Sequence, residues 1–456
     1  MVPFAKSGSY TLSAVWKKCF RSAALAAAFA AFLLPVGNAA SGGNGPGGNE
    51  GEADRGAVRL LKAIPIPGTL DNATNGKLYS FDISFVDQST QTYYLADRSN
   101  KVVDVVDAKT GTLIKQIPGA FKGVAVVNGV VQGGQSGPNG VVAAFPWLFV
   151  TDAPSRVVTI DLRTDSVVSS VSTGGADNFR ADELAYDPKD GLLLVINPND
   201  PTPFGTLVSV NKANGHLTVG PRITFDAAHG VDATGGAEQP VWNPQTGKFF
   251  LSIPQIGPNA KDGAVIRIDP KTAKVDATFP IEFCGPAGLT LGPRNEFLVG
   301  CNTVFDTAGK VWSPTGTVTA APKDVILNVK TGATTDIPGV GAGDEVWFNE
   351  GDGNYYATGS GSPLRPTSPA PLTAQGATAL GVIDAEDRTL IQLVPTFNVP
   401  AVGTGNSSTE HPAGTAHSVA VNAANNHVFV PLAANNVFPD CLTGCIAVFF
   451  RPSKVE

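Results

Sequence analysis

Short stretches of alternating apolar and polar residues recur along the chain from residue 58 onwards. Each stretch ends in Asp or Asn and leads into a polar turn, as in the segments Lys101–Gly111 and Arg156–Asp165. Alternation with a period of two and many β-branched residues predict β-strands. Asp or Asn followed by Lys-Thr-Gly or Ala-Asn-Gly predicts a hairpin turn in which Gly or Asn has a positive φ.

These strands belong to a larger repeating unit. An apolar strand is followed by a second strand that often carries aromatic residues, then by the alternating strand and a last strand. Second strands are predicted to begin near Tyr93, Trp147, Leu192, Phe249, Glu296, Tyr355 and His427. Repeating four-strand units predict the blades of a β-propeller, because one blade cannot bury both of its faces alone. An open β-solenoid is the alternative, although its repeats are shorter and more regular.

The seventh unit reaches the end of the chain after its third strand. The apolar segment Val58–Ile66 is therefore predicted to supply the missing strand, which would cover an exposed sheet edge. The sequence thus predicts an all-β fold over residues 58–456: a seven-bladed β-propeller of four-stranded antiparallel blades, with the ring closed by an N-terminal strand.

Residues 1–40 differ in composition from the rest of the chain. Lys17, Lys18 and Arg21 precede an apolar run from Ala23 to Leu34, and small residues follow it. This order is typical of a secretory signal peptide. The run is short for a bilayer-spanning helix, and a retained membrane anchor is the alternative. Residues 41–57 are rich in Gly and Asn and predict a flexible leader.

The chain beyond residue 40 is acidic. The first segment contains four positive charges and no carboxylate, so the net charge of −7 becomes −11 for the remainder. An acidic chain without a basic cluster argues against a nucleic-acid partner. No segment after the first is long and apolar enough to predict a membrane span. The sequence predicts an exported monomer, either periplasmic or secreted.

Four cysteines follow the predicted signal peptide. An even number of cysteines in an oxidising compartment indicates disulfide bonds. Proximity along the chain favours pairing Cys284 with Cys301 and Cys441 with Cys445. A zinc site is the alternative, but neither pair has C-x-x-C spacing or a neighbouring histidine.

The residues that precede each first strand are candidates for a functional site. In a propeller the first strands line a central channel, and the residues before them lie at one mouth of it. The pairs at the seven strand entries are Phe81-Asp82, Asn139-Gly140, Asp182-Glu183, Glu238-Gln239, Ala287-Gly288, Asp344-Glu345 and His417-Ser418. Carboxylates with Asn and His suit a hard divalent cation, Ca²⁺ or Mg²⁺, as cofactor. A polar ring that is simply solvated by channel water is the other interpretation.

Roles can be assigned within this ring. The candidate catalytic residues are Glu183, Glu345 and His417, because converging carboxylates raise one another's pKa and can act as general acids or bases. The same three residues with Glu238 are the candidate metal ligands. Binding at the channel mouth is assigned to Asp82, Asn139, Asp182, Glu238, Gln239 and Asp344.

Long loops are predicted at the same mouth in the last three blades: 303–322, 359–375 and 433–444. Loops of this kind on a rigid scaffold commonly carry binding sites. Disordered insertions are the alternative, since residues 359–375 are close to low complexity.

Two pairs of segments resemble a known repeat. The segments Leu148–Asp152 with Val157–Asp161, and Ala416–Asn422 with Asn426–Val430, resemble the YVTN-type repeat of lactonase-like seven-bladed propellers. The resemblance extends over nearly the whole mature chain and implies the propeller fold. Its motif marks blades, so the resemblance transfers no catalytic residue.

Two main functions are compatible with these features. The first is an exported module that binds a small molecule, a glycan or an envelope protein at the loop-rich channel mouth. The second is a metal-dependent hydrolase of the lactonase or arylesterase type, in which a channel cation would activate water. Lyase or isomerase chemistry with the same cation is a third function that the ring would allow.

Overall fold

The computed structural model describes residues 56–452 except 129, 313–319, 342, 360–378, 397–398, 400, 404–410, 413 and 415. Their strands form seven four-stranded antiparallel sheets. The first strands of successive sheets contact one another around a closed ring. This arrangement is a seven-bladed β-propeller, which confirms the predicted fold class. The predicted signal peptide and nearly all of the predicted leader lie outside the described residues.

Each blade begins with a first strand beside the channel and continues with a second strand that is almost wholly buried. From blade 1 to blade 7 the first strands are Ser84–Asp87, Val141–Ala144, Leu184–Asp187, Pro240–Asn243, Cys284–Leu291, Val346–Asn349 and Ala420–Asn422. The second strands are, in the same order, Thr92–Asp97, Trp147–Asp152, Leu192–Asn197, Lys248–Ile253, Glu296–Val304, Asn354–Thr358 and His427–Leu432. Every second strand begins within one residue of its predicted position.

The third and fourth strands complete the blades towards the outside. The third strands are Val102–Asp107, Arg156–Asp161, Phe204–Val210, Asp262–Asp269, Lys323–Asn328, Ala379–Asp384 and Cys445–Phe450. The fourth strands of blades 1 to 6 are Thr112–Pro118, Ser166–Ser172, Leu217–Thr224, Lys274–Glu282, Thr334–Pro338 and Thr389–Pro395. In blade 7 the fourth position is occupied by Arg59–Pro65, which pairs antiparallel with Cys445–Phe450.

Few elements lie outside the blades. The loop before the first strand of blade 2 contains a small hairpin, in which Val126–Val127 pairs with Val130–Val131. Short 3₁₀ turns occur at Gly133–Gln135, Ala227–His229 and Pro293–Asn295. Within the described ranges, no helix is long and apolar enough to cross a membrane.

The hydrophobic core consists of seven main clusters, each shared by two neighbouring blades. Phe250 of blade 4 packs on Phe297 of blade 5, for example, with ring centroids 4.7 Å apart. Because each inner strand has a neighbouring blade on both sides, it needs apolar residues on both faces. The strand Trp147–Asp152, for example, is buried throughout. The outer strand Ser166–Ser172 lies at the edge of its sheet, and its residues are exposed or half-buried. Burial between blades is what makes the repeat a closed ring.

The hairpins between third and fourth strands have the predicted chemistry. The carboxylate of Asp107 accepts a hydrogen bond from the backbone N–H of Lys109 at 2.8 Å. Gly111 then adopts a φ of 60°, the left-handed region that favours glycine. In blade 4 the corresponding residue is Ala273, with a φ of 52°. The turn therefore keeps its geometry where the glycine is replaced.

Both predicted disulfide bonds are confirmed. Cys284–Cys301 joins the first and second strands of blade 5. Cys441–Cys445 closes a five-residue loop at the start of the third strand of blade 7. All four cysteines are fully buried.

Candidate functional site

Main-chain hydrogen bonds hold the residues at the strand entries in place. The backbone N–H of Asp82 donates to the carbonyl of Ala96 at 2.9 Å, and that of Asp182 donates to Ile196 at 2.8 Å. Neighbouring entries are joined as well, since Gly140 donates to the carbonyl of Asp182 at 3.2 Å. The side chains at this mouth of the channel therefore project from a rigid backbone.

Two arginines lie among the carboxylates of this mouth. Arg98 follows the second strand of blade 1 and forms an ion pair with Asp82, with both side chains less than 10 % exposed. Arg180 precedes the first strand of blade 3 and pairs with Asp82 at 3.4 Å and with Asp182. Neither arginine is among the site residues predicted from the sequence. The fold offers a signal for Arg98, because a second strand ends at the mouth where the first strand begins.

The two arginines determine the ionisation of Asp82. Burial alone would raise the pKa of its carboxyl group, but the charges of Arg98 and Arg180 hold that pKa well below its usual range. Asn139 supports the same pair, since its Oδ1 accepts from Arg98 Nε at 2.9 Å and Nη2 at 2.7 Å. Its Nδ2 donates to the carbonyl of Ala181 at 2.8 Å. Asn139 therefore positions Arg98 at the mouth.

Asp82, Asp344 and His417 lie close enough together to share a ligand. One possible ligand atom from each residue lies within 4.8 Å of the other two. His417 Nε2 is 3.4 Å from Asp82 Oδ1, and its ring stacks on Phe81 with centroids 5.3 Å apart. Asp344 Oδ1 accepts a bond from Asn302 Nδ2 at 3.3 Å. Of the four predicted metal ligands, only His417 belongs to this trio.

Asp182, Glu183 and Glu238 form the other part of the mouth. Burial raises the pKa of Asp182 to about 7, although Arg180 opposes this effect. Burial, with added repulsion from Asp182 and Glu238, raises the pKa of Glu183 well above its usual value. Desolvation and the charge of Asp344 raise the pKa of Glu238 in the same way. Among the described residues, none donates a hydrogen bond to the buried atoms Oδ1 of Asp182 and Oε2 of Glu183.

Glu345 belongs to a separate hydrogen-bond network. Its Oε2 accepts from the backbone N–H groups of Ser84 at 3.2 Å and Val419 at 3.0 Å. The hydroxyl groups of Ser84 and Ser418 also donate to it. Burial raises the pKa of Glu345 to about 8 despite these donors. These contacts join blades 6, 7 and 1, so the network gives Glu345 a structural role.

Gln239 also connects two blades. Its Oε1 accepts a hydrogen bond from the backbone N–H of Leu289 at 2.6 Å, which links the entry of blade 4 to the first strand of blade 5. One of the two acceptor positions of Oε1 is therefore used within the protein. Gln239 also lies beside the channel.

A partly open cavity of about 420 Å³ lies in the channel between the first strands of blades 1 to 6. Four half-buried aromatic residues lie along its wall: Phe85, Tyr186, Trp242 and Trp347. Glu183 and Glu345 are its acidic lining residues. The aromatic residues of this wall are not among the predicted site residues, although they lie in the first strands. The cavity thus combines an apolar body with an acidic end.

The predicted long loops are at the expected places. The second and third strands of blades 5, 6 and 7 are separated by residues 305–322, 359–378 and 433–444. Parts of the first loop and nearly all of the second lie outside the described residues. The described loop 433–444 contributes Phe438 and Cys441 to the cluster between blades 6 and 7.

Two solved structures share the fold. Hydrazine synthase of Kuenenia stuttgartiensis has a TM-score of 0.55 at 13% identity, over 86% of this chain and 99% of that chain. A chain of a mitotic checkpoint complex has a TM-score of 0.52 at 11% identity, over 91% of this chain and 99% of that chain. At these identities the likeness shows the fold alone. No protein-family model and no curated protein matches the sequence. The resemblance to the YVTN-type family therefore stays a prediction.

Proposed function

We propose that this protein is an exported binding propeller, and that its central channel holds a small organic molecule. The observation that carries this proposal is the cavity of about 420 Å³, whose size is typical of small-molecule sites. Half-buried aromatic side chains would cover the apolar body of such a ligand, and the acidic end would orient it. The two disulfide bonds support a location outside the cytoplasm, in the periplasm or beyond it.

Filling the channel tests this function. Val142 lines the cavity and is half-buried, so Val142→Phe should narrow the channel. Benzyl alcohol, benzylamine and benzoate are suitable probes, and calorimetry measures their binding. We expect at least one probe to bind the native protein and to lose about tenfold or more in affinity in Val142→Phe.

A matched control is available in the same blade. Val167 lies on the outer strand and is 42% exposed, so Val167→Phe should leave binding unchanged. Binding of no probe at millimolar concentration would overturn the proposed function. Equal binding by the native protein and Val142→Phe would overturn it as well.

A metal-dependent hydrolase of the lactonase or arylesterase type is the second candidate. The trio of Asp82, Asp344 and His417 favours it, because carboxylate and imidazole groups can hold a divalent cation. The pairing of Asp82 with Arg98 and Arg180 counts against it, since two guanidinium groups would repel such a cation. The residues therefore fit a metal ion poorly, and the binding function is preferred.

Metal content separates the two candidates. We expect elemental analysis of the purified protein to find less than a stoichiometric amount of any divalent metal. We also expect added Ca²⁺ or Mg²⁺ to leave the melting temperature unchanged. A stoichiometric metal that is lost in His417→Ala, with the fold retained, would favour the hydrolase instead.

A further inference from the structure

We propose that the polar end of the channel recognises a positively charged organic amine. The ligand class is then a primary amine with an aromatic or aliphatic body of suitable size for the cavity. This inference rests on the proposed function and names the chemistry of its ligand. It concerns Glu183 and Glu238, which are outside the ion pairs that Arg98 and Arg180 form with Asp82 and Asp182.

Glu183 is the central observation. The residue is 5% exposed and lines the cavity. No hydrogen bond from the described part of the chain reaches its Oε2. A buried carboxylate oxygen without a donor is costly, and a bound donor removes that cost. The preceding residue, Asp182, also has a buried oxygen, Oδ1, to which no described residue donates a hydrogen bond.

The surrounding charge selects the kind of donor. A negative charge on Glu183 is repelled by four neighbouring carboxylates: Asp182, Glu238, Asp344 and Asp82. Among the described residues, the cations of the mouth are Arg98 and Arg180, and they pair with Asp82 and Asp182. The remaining carboxylates therefore favour a ligand with a positive charge and disfavour an anion.

An ammonium group fits this environment better than a metal ion does. It is a compact charge with three hydrogen-bond donors, so a few carboxylate oxygens satisfy it. Ca²⁺ requires six to eight oxygen ligands and would compete with Arg180 for Asp182. An organic amine also uses the rest of the cavity, because an indole ring can contact both an apolar group and a cation. Trp242 and Trp347 supply such rings along the wall.

Three probes of one shape test the inference at pH 7. Benzylamine, benzyl alcohol and benzoate share the ring and differ in charge. We expect benzylamine to bind about tenfold more tightly than benzyl alcohol, and benzoate to bind more weakly than either. In Glu183→Gln the advantage of benzylamine should fall at least about fivefold, while the affinity for benzyl alcohol stays within about twofold.

Two further variants keep the result interpretable. Glu386→Gln changes an exposed glutamate on a hairpin of blade 6 and should keep the native preference. Glu238→Gln should reduce the preference in the same direction as Glu183→Gln, and it provides the test if Glu183→Gln does not fold. Melting curves without ligand establish that each variant is folded.

The outcomes separate the inference from the function beneath it. Benzyl alcohol that binds as tightly as benzylamine would overturn the amine inference and leave the binding channel intact. A full preference for benzylamine in both folded variants would overturn the assignment of Glu183 and Glu238. If no probe binds, the proposed binding function itself is overturned. Displacement of benzylamine by stoichiometric Ca²⁺ would overturn the inference in favour of a metal site.

Discussion

Carboxyl groups that occupy equivalent positions at the channel mouth have different chemistry. Asp82 is held ionised by two guanidinium groups. Glu345 accepts hydrogen bonds from three residues of two other blades, and burial still raises its pKa to about 8. Glu183 has a buried oxygen that no donor among the described residues reaches. Residue type at the mouth is therefore a poor guide to role, because the neighbouring blades determine each environment.

Glu345 leads to a prediction about pH. Its pKa is about 8 in the folded protein and 4.5 for an unperturbed glutamate. Between these values the native state keeps a proton that the unfolded chain releases, so the free energy of unfolding should fall as pH rises. The contribution of this group is about 1.4 kcal/mol per pH unit. In Glu345→Gln the free energy of unfolding should therefore depend less steeply on pH between pH 5 and pH 8. The slope should change by about 1.4 kcal/mol per pH unit, which corresponds to one proton.

Urea unfolding at pH 5, 6, 7 and 8 measures this slope. The exposed Glu386→Gln variant is the control and should reproduce the native pH dependence. An unchanged slope in Glu345→Gln would contradict the prediction. Other buried carboxyl groups with raised pKa, such as Asp182, should leave part of the slope in the variant.

At the scale of single elements, position in the blade determines the character of a strand. Second strands pack against neighbouring blades on both faces and contain few polar residues, as in Trp147–Asp152. Outer strands alternate, and exposed apolar residues such as Ile114 and Val167 occur there singly. Of the two disulfide bonds, Cys284–Cys301 joins two strands, whereas Cys441–Cys445 closes a short loop beside one strand.

Removing each disulfide should have a different effect on stability. Cys284 and Cys301 are separated by 17 positions, and Cys441 and Cys445 by four. A longer closed loop restricts the unfolded chain more strongly. We expect Cys284→Ala with Cys301→Ala to lower the free energy of unfolding by about 3 kcal/mol, and Cys441→Ala with Cys445→Ala by about 2 kcal/mol.

Urea unfolding under non-reducing conditions compares the two double variants. All four side chains are fully buried, so the loss of sulfur leaves a similar cavity in both cases. A larger loss for the short loop would show that native-state packing outweighs the restriction of the unfolded chain.

At the scale of the whole molecule, the last blade is completed by the first strand of the described chain. Arg59–Pro65 pairs with Cys445–Phe450, strands that lie almost at opposite ends of the described chain. Ile64 in the strand Arg59–Pro65 and Ile66 directly after it are buried in the cluster between blades 7 and 1. Blade 7 therefore depends on residues from both ends of the propeller.

Deletion of this strand should destabilise the molecule. A chain that begins at residue 67 lacks Arg59–Pro65 and leaves Cys445–Phe450 as an exposed edge. Loss of two buried isoleucines should cost about 4 kcal/mol, and the open edge should promote aggregation. Melting temperature and light scattering measure both effects.

A chain that begins at residue 56 is the control, because it keeps the whole strand. We expect it to match the full-length chain in melting temperature. If the chain that begins at residue 67 were equally stable and equally monodisperse, the N-terminal strand would have no role in closing the ring.

The features predicted correctly from the sequence are local or repetitive. Strand starts such as Trp147 and His427 follow from alternation and from turn residues within a few positions. The count of seven blades follows because the pattern repeats in every unit. The disulfide bonds were predictable because each pair is close along the chain. Alternation, turn residues and cysteine spacing all involve residues that are close along the chain, so the sequence alone reveals them.

The chemistry of the channel depends on contacts between blades. Arg180 pairs with Asp82 across 98 positions of sequence, and Glu345 bonds Ser84 across 261. The aromatic wall of the cavity likewise combines Phe85 with Trp347, whose rings lie 5.6 Å apart. No local pattern encodes these distances, because they arise only when the ring closes. The acidic residues of the mouth could be predicted from the strand entries. Their pairing with Arg98 and Arg180, and the buried carboxylate oxygens that no described residue donates to, depend on contacts between blades.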